Sequence, residues 1–228
     1  FAFSSKNRRY HNRESFNDDF GLTGNKKNVF IMLHAFNDYP HSHFRWMIFK
    51  DYYDWFMQTL AFAKNNDKVN WIFKQHPSIK FYPIEGFKFE KYFEKCSSYI
   101  VYIDENKQID TRSLVHCADV IITCLGSAGF ELPAMAGIPS ITAGDNFYTG
   151  LGFVREPRTE KEYLSLLATL HAITRLDPAQ QRIARAAYTY IYEFSRVNIS
   201  ACPPLSLVQE KENNNNLAYW DAVSARYH

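Results

Sequence analysis

Few of the features that would assign this chain to a specialised class are present. Its four cysteines, Cys96, Cys117, Cys124 and Cys202, form no Cys-x-x-Cys pair and no zinc-like spacing with histidine. That excludes a disulfide scaffold and a zinc module and fits a reduced, cytoplasmic setting. No apolar run approaches the roughly 20 residues a membrane helix needs. No signal peptide opens at Phe1, so membrane contact, if any, is expected to be peripheral, at the inner face. Neither sign of charge dominates: 26 basic against 24 acidic residues leave +2, too little to argue for a nucleic-acid partner. No Gly-x-Gly-x-x-Gly follows the first apolar strand, which disfavours a dinucleotide dehydrogenase. The absence of an initiator methionine suggests a fragment, a processed form or a truncated gene model. His41 and His43 have no accompanying carboxylate or cysteine framework, so no metal is expected.

What the chain does have is a core. At 228 residues, 46% hydrophobic and 17% aromatic, it can fill one domain near the upper size for a single core. Apolar runs and helical patterns alternate: strands over 28–35, 69–75, 99–103, 119–124 and 138–143, and helices over 49–64, 88–94 and 110–117. Two further helices follow, one from a Thr159/Glu162 capping box to about 173 and one from Asp177-Pro178 to about 194. Such alternation predicts a doubly wound, Rossmann-like parallel α/β sheet. Residues 1–27 read as an N-terminal segment or the remnant of a preceding domain. Residues 28–200 form the domain and 201–228 a polar tail. The basic cluster Lys6, Arg8, Arg9 and Arg13 reads as a solvated, mobile terminus.

Two segments carry chemistry. Asp119 to Cys124 is a β-branched run of a buried strand, and it enters a turn of small residues, Gly126, Ser127, Ala128 and Gly129, before a helix. Amides that open a helix, with little side chain to shield them and the helix dipole behind them, suit a phosphate. Glu131 in the first turn can reach ribose hydroxyls. The second segment is Val69 to Gln75, which ends in His76-Pro77-Ser78. It places Lys74, His76 and Ser78 at a strand's carboxyl edge, where open α/β sheets bind ligands. His34 and Asp38 follow the first strand, and Asp145 follows the strand over 138–143. All three are candidate cleft residues, although ordering of a loop through side-chain hydrogen bonds accounts for His34 and Asp38 as well.

The run Lys-Gln-His-Pro-Ser, then Ala-Asp-Val-Ile-Ile-Thr, Gly-Ser-Ala-Gly-Phe-Glu and Gly-Ile-Pro-Ser-Ile-Thr-Ala-Gly resembles the C-terminal, donor-binding half of GT-B glycosyltransferases. The resemblance is to the capsule and lipopolysaccharide type, the His-Pro-motif enzymes of the Kdo- and sialyl-transferase kind, and it spans residues 28–194. It implies transfer from a nucleotide-sugar donor to a glycan or lipid-linked acceptor, with a CMP-sugar favoured and UDP- or GDP-sugars open. No further cofactor is implied. His76 would be the catalytic group on the leaving phosphate, helped by Lys74, with Gly126, Ser127, Ala128 and Gly129 as the cradle and Glu131 on hydroxyls. The acceptor and the catalytic base would lie on a second Rossmann-like half that this chain largely lacks.

Other classes remain in view at this level. A serine hydrolase would use Ser127, Asp145 and His171, but Leu125 stands where a Gly-x-Ser-x-Gly elbow needs glycine. A sugar-nucleotide epimerase, and a non-catalytic nucleotide-sugar-binding or packing domain, fit the same pattern.

Overall fold

A computed structural model describes residues 8–37, 46–77, 79, 84–104, 107 and 109–194. Asp38 and Ser78 lie outside the described residues. The chain divides into a unit of residues 1–188 and a second unit of residues 189–228. The second is described only over 189–194, which includes the π-helical turn Tyr190–Phe194.

Six strands form one sheet: β1 (Asn28–Met32), β2 (Asn70–Lys74), β3 (Ile100–Ile103), β4 (Val120–Thr123), β5 (Ser140–Thr142) and β6 (Val154–Arg155). Their spatial order is β3-β2-β1-β4-β5-β6, and every pairing is parallel. The helices are α1 (Arg13–Phe20), α2 (Tyr52–Lys64), α3 (Leu114–Cys117), α4 (Ala128–Ala136), α5 (Glu160–Ala168) and α6 (Pro178–Thr189). Successive side chains alternate across the sheet. Val29, Ile31 and Leu33 therefore join Trp55 and Phe56 of α2 and Tyr163 of α5 in one core. Phe30 and Ile72 face Phe16 of α1, Leu114 of α3 and Leu132 of α4 in the other. The expected doubly wound α/β fold is the observed one. The chain winds outward in both directions from β1 and β4, so those two adjacent strands mark the topological switch point.

The helix starts follow their caps. α2 begins at Tyr52 rather than at 49 because the side chain of Asp51 accepts the Asp54 amide at 2.8 Å. α5 begins after Thr159, whose hydroxyl accepts from the Glu162 amide at 3.1 Å. The expected helix over 88–94 is a single 3₁₀ turn, Phe89–Tyr92.

The N-terminal segment is built into the fold: α1 is capped by Asn12, which accepts from Ser15, and is closed by Gly21 at φ 62°. Phe16 is fully buried, with its ring 5.4 Å from that of Phe30. The basic cluster is not simply solvated, since Arg13 pairs with Asp119 and Arg9 with Asp19, each at 2.7 Å. α1 is tied to the sheet by a buried amide ladder. Asn28 donates to Asn17 Oδ1 at 2.8 Å and to the Cys117 carbonyl at 3.1 Å, and accepts from Asn70 at 2.8 Å. Asn28→Ala would remove the donor to Asn17 Oδ1 and the Cys117 carbonyl, both buried, and unfolding in urea should show a loss of about 2 kcal/mol.

Candidate anion-binding site at the switch point

Register aligns the last residues of the strands. Met32 of β1 stands opposite Lys74 of β2 and Thr123 of β4, and Thr123 stands opposite Thr142 of β5. The turns that leave this carboxyl edge carry the sequence candidates, so the functional question becomes one of which polar groups there are already committed.

Between β4 and α4 the backbone amides can be followed one by one. The Leu125 amide donates to His34 Nε2 at 3.0 Å and that of Gly126 to Thr123 Oγ1 at 2.8 Å. The Gly129 amide donates to the Gly126 carbonyl at 3.2 Å, and those of Phe130 and Glu131 to the Ser127 carbonyl at 2.9 Å. The amides of Ser127 and Ala128 have no acceptor among the described residues. The cradle expected from the Gly126 to Gly129 amides therefore narrows to two, at the mouth of a nine-residue helix whose dipole favours an anion. The Ser127 side chain is exposed and makes no capping bond.

The glycines are required by packing. A Cβ on Gly126 would lie 2.6 Å from Thr123 Oγ1, and one on Gly129 would lie 2.7 Å from Tyr148 Oη and 3.0 Å from Thr123 Cγ2. Tyr148 is fully buried and donates to the Gly126 carbonyl at 2.7 Å, so it cannot give way cheaply. Pro133 sits inside α4 and lacks the N–H that would have bonded the Gly129 carbonyl. That carbonyl accepts from Ser140 Oγ of β5 instead, at 2.7 Å. Gly129→Ala should cost about 1–3 kcal/mol by overpacking, read as a lowered urea midpoint with an unchanged slope.

His34 stands at the centre of the edge, directly after β1. Its ring stacks on Tyr52 at 4.5 Å and 8°, and meets Trp55 edge-on at 6.1 Å. Because Nε2 accepts the Leu125 amide, the ring proton belongs on Nδ1. Burial, and then the charge of nearby His76, hold its pKa down at about 3. His76 itself is half-buried beyond the end of β2. The structure thus brings His34 and His76 within electrostatic reach of each other, with His34 bonded to the turn before α4.

Lys74 ends β2. Alternation places it on the same sheet face as Ile72, the face that α4 covers. Two strand spacings, about 10 Å, separate its backbone from that of Thr123, with Met32 between them. Lys74 is only 9% exposed, and its ammonium has no carboxylate or hydrogen-bond partner among the described residues. Burial, and then the charge of Arg8, lower its pKa to about 8. Arg8 reaches this place because Arg9 bridges to Ile109 beyond β3. Nothing in the sequence pairs these positions, so the contribution of the N-terminal segment was not legible there.

Other candidates are placed differently. Asp145 is buried, and its Oδ1 accepts from Thr149 Oγ1 at 2.6 Å while its amide donates to the Trp46 carbonyl at 2.8 Å. These bonds tie Asp145 to the loop that follows β5. Glu131 is half-buried in the first turn of α4. The hydrolase arrangement does not assemble. His171 lies in the 3₁₀ turn after α5, beside Ile173, whose carbonyl accepts from Lys27 at the amino edge of the sheet, opposite Ser127. Among the described residues no group of three or more His, Cys, Asp or Glu is placed to hold a metal ion, and no helix is long and apolar enough to cross a membrane.

No family model matches the sequence and no curated protein does. Solved structures do show likeness. The chain is similar to KpsC of Thermosulfurimonas dismutans, a beta Kdo 2,4 transferase, at 18% identity over 72% of this chain and 45% of that one, with a TM-score of 0.43. It is similar to a variant of the wall teichoic acid polymerase TagF at 15% identity over 94% and 48%, with a TM-score of 0.44. A Listeria monocytogenes protein assigned as a UDP-N-acetylglucosamine 2-epimerase matches at 14% over 84% and 50%, with a TM-score of 0.45. The chain spans about half the length of these proteins. At such identities and scores the likenesses carry no functional argument, and the chemistry rests on the geometry of the switch point.

Proposed function

We propose that this chain is the donor-binding half of a GT-B glycosyltransferase and that the switch point receives the phosphate of a nucleotide-activated sugar. One juxtaposition carries the reading. A nine-tenths buried lysine with no counter-charge among the described residues shares a sheet face with a helix N-terminus two of whose amides have no acceptor among the described residues, and His76 at the same carboxyl edge is electrostatically coupled to His34. A buried ammonium is costly unless an anion arrives to meet it.

In the proposed reaction the bond between the anomeric carbon and a phosphate oxygen breaks, and its electron pair passes to the phosphate. The acceptor hydroxyl oxygen bonds to the anomeric carbon and gives up its proton to a base on the other half of the enzyme. Donors positioned to meet the developing charge lower the barrier. His76 and Lys74 would meet it with charge-assisted hydrogen bonds, the Ser127 and Ala128 amides would hold the non-bridging oxygens, and Glu131 would bind hydroxyls. The motif resemblance favours a CMP-linked acidic sugar as donor, and capsule or lipopolysaccharide assembly, with a glycan or lipid-linked acceptor, as the setting.

A calorimetric and thermal-shift panel of CMP, CDP, UDP, GDP and NAD against this chain tests the reading, since a ligand that binds the native state raises its stability. One nucleotide should bind saturably, and His76→Ala should weaken it by about tenfold or more, the loss expected of a charge-assisted hydrogen bond. NAD binding in preference to the others, or unchanged affinity in the variant, would overturn the assignment. Saturable binding without transfer in the presence of acceptor and the partner half would identify a non-catalytic nucleotide-sugar-binding domain instead.

A further inference from the structure

We propose that His34 is the positioning residue of this site: its neutral imidazole holds the Leu125 amide and so fixes the turn that leaves the Ser127 and Ala128 amides for an anion. The proposal rests on the reading of the switch point as a phosphate site.

The neighbouring amides in the turn are satisfied locally. Gly126 donates to Thr123, and Gly129, Phe130 and Glu131 donate to carbonyls within three or four residues. Leu125 instead donates across 91 positions of sequence to a side chain on the adjacent strand's exit. A helix N-terminus entered through small residues has several accessible backbone conformations, and some of these would turn the first amides inward or exchange their partners. A fixed acceptor from β1 removes that freedom in advance, which is how pre-organisation adds affinity without a direct contact to the ligand.

The ring is suited to that task because two buried aromatic side chains hold it. Tyr52 stacks on it and Trp55 meets its edge; both side chains are 3% exposed or less and belong to α2, which is anchored in the larger core. Among the described residues, three groups bear on its protonation. Thr123 Oγ1 lies 3.4 Å from Nε2, the Leu125 amide occupies the lone pair, and the nearby charge is that of His76, which opposes a second cation. Nε2 is thereby kept as an acceptor at neutral pH, and Nδ1 carries the proton.

Two substitutions separate the acceptor from the ring. His34→Gln retains an acceptor for the Leu125 amide and loses the stack, whereas His34→Phe retains the stack and loses the acceptor. Binding of inorganic pyrophosphate to the full chain is measured by calorimetry at pH 7.5. In parallel, exchange of the Leu125 amide and the imidazole nitrogen shifts are followed by NMR. A positioning role predicts that H34F weakens pyrophosphate about 30-fold, equivalent to about 2 kcal/mol, and loses Leu125 protection, while H34Q stays within about fivefold of the parent. A merely structural role predicts the reverse order. Equal affinities in H34F and the parent, or a protonated Nε2 in the parent, would overturn the proposal. Failure of the parent to bind pyrophosphate or any nucleotide would instead overturn the phosphate-site reading on which it rests.

Discussion

Lys74→Met is expected to raise stability and abolish anion binding in the same molecule. The ammonium titrates near 10.5 in the unfolded chain and at about 8 in the folded one. Between those values the unfolded state holds the proton that the native state has released, so stability rises as pH is raised from 8 to 10.5. Below 8 the penalty is fully developed, and at about 1.4 kcal/mol per pH unit it amounts to about 3 kcal/mol. Methionine keeps much of the stem's length and volume and removes the charge, so most of that penalty should be recovered as a higher urea midpoint at pH 7. The same change removes the buried cation from the proposed phosphate site, so pyrophosphate and nucleotides should no longer bind. Two control measurements sharpen the test. The stability gain should shrink above pH 8, and a saturating anion should flatten the alkaline pH dependence of the parent, because a bound phosphate restores the ammonium. A destabilised Lys74→Met protein, or one that binds pyrophosphate as before, would show that the lysine is a satisfied structural residue.

Mild acid should destabilise the parent more than a His34 variant. The imidazole takes up a proton near 6.5 when unfolded but only at about 3 in the fold, so the unfolded state binds more protons throughout that window. The sign is opposite to that of an ion-paired histidine: stability is intact above 6.5 and falls as pH is lowered. The loss reaches about 2 kcal/mol at pH 5 and grows further towards pH 3. Urea titrations of the parent and of His34→Gln between pH 7 and 5 isolate this contribution, because carboxylates titrate mainly below that range. The difference between the two proteins should narrow steadily with falling pH as the parent pays a proton-linked cost that glutamine does not carry. Parallel pH profiles would mean that the ring protonates in place, and would remove the ground for a neutral acceptor at Leu125.

These two residues mark the boundary of what the chain reveals before it folds. Strands β1, β2 and β4 were legible because β-branched and aromatic runs of four to seven residues, bounded by Asn, Asp, Gly or Pro, have few alternatives to a buried parallel strand. Their alternation with helices made the doubly wound sheet the natural outcome, and His76 and Ser127 were placed on its carboxyl edge by position alone. α1 escaped notice although Asn12 and Gly21 are ordinary cap residues, because its apolar face reduces to Phe16 and Phe20, too weak a period to stand out from a basic segment.

The Gly126 to Gly129 turn was only half legible. Small residues at a helix entrance announce exposed amides, but which amides remain free depends on acceptors supplied from elsewhere: Thr123 for Gly126, His34 for Leu125. Tyr148 gave Gly129 a packing reason that no local pattern contains. In the same way, Lys74 reads as one charged residue at a strand end until the register places it on the α4 face and Arg9 brings the N-terminal segment beside β3.

The sequence by itself determined the central strands, the main helices and their parallel sense, because hydrophobic periodicity, caps and strand-ending prolines act within a few residues. The tertiary structure alone decided that, among the described residues, the Lys74 ammonium lacks a counter-charge and the Ser127 and Ala128 amides lack acceptors. Those properties depend on strand order, β2 beside β1 beside β4, and that order brings together side chains about ninety positions apart through burial and register rather than through any local preference.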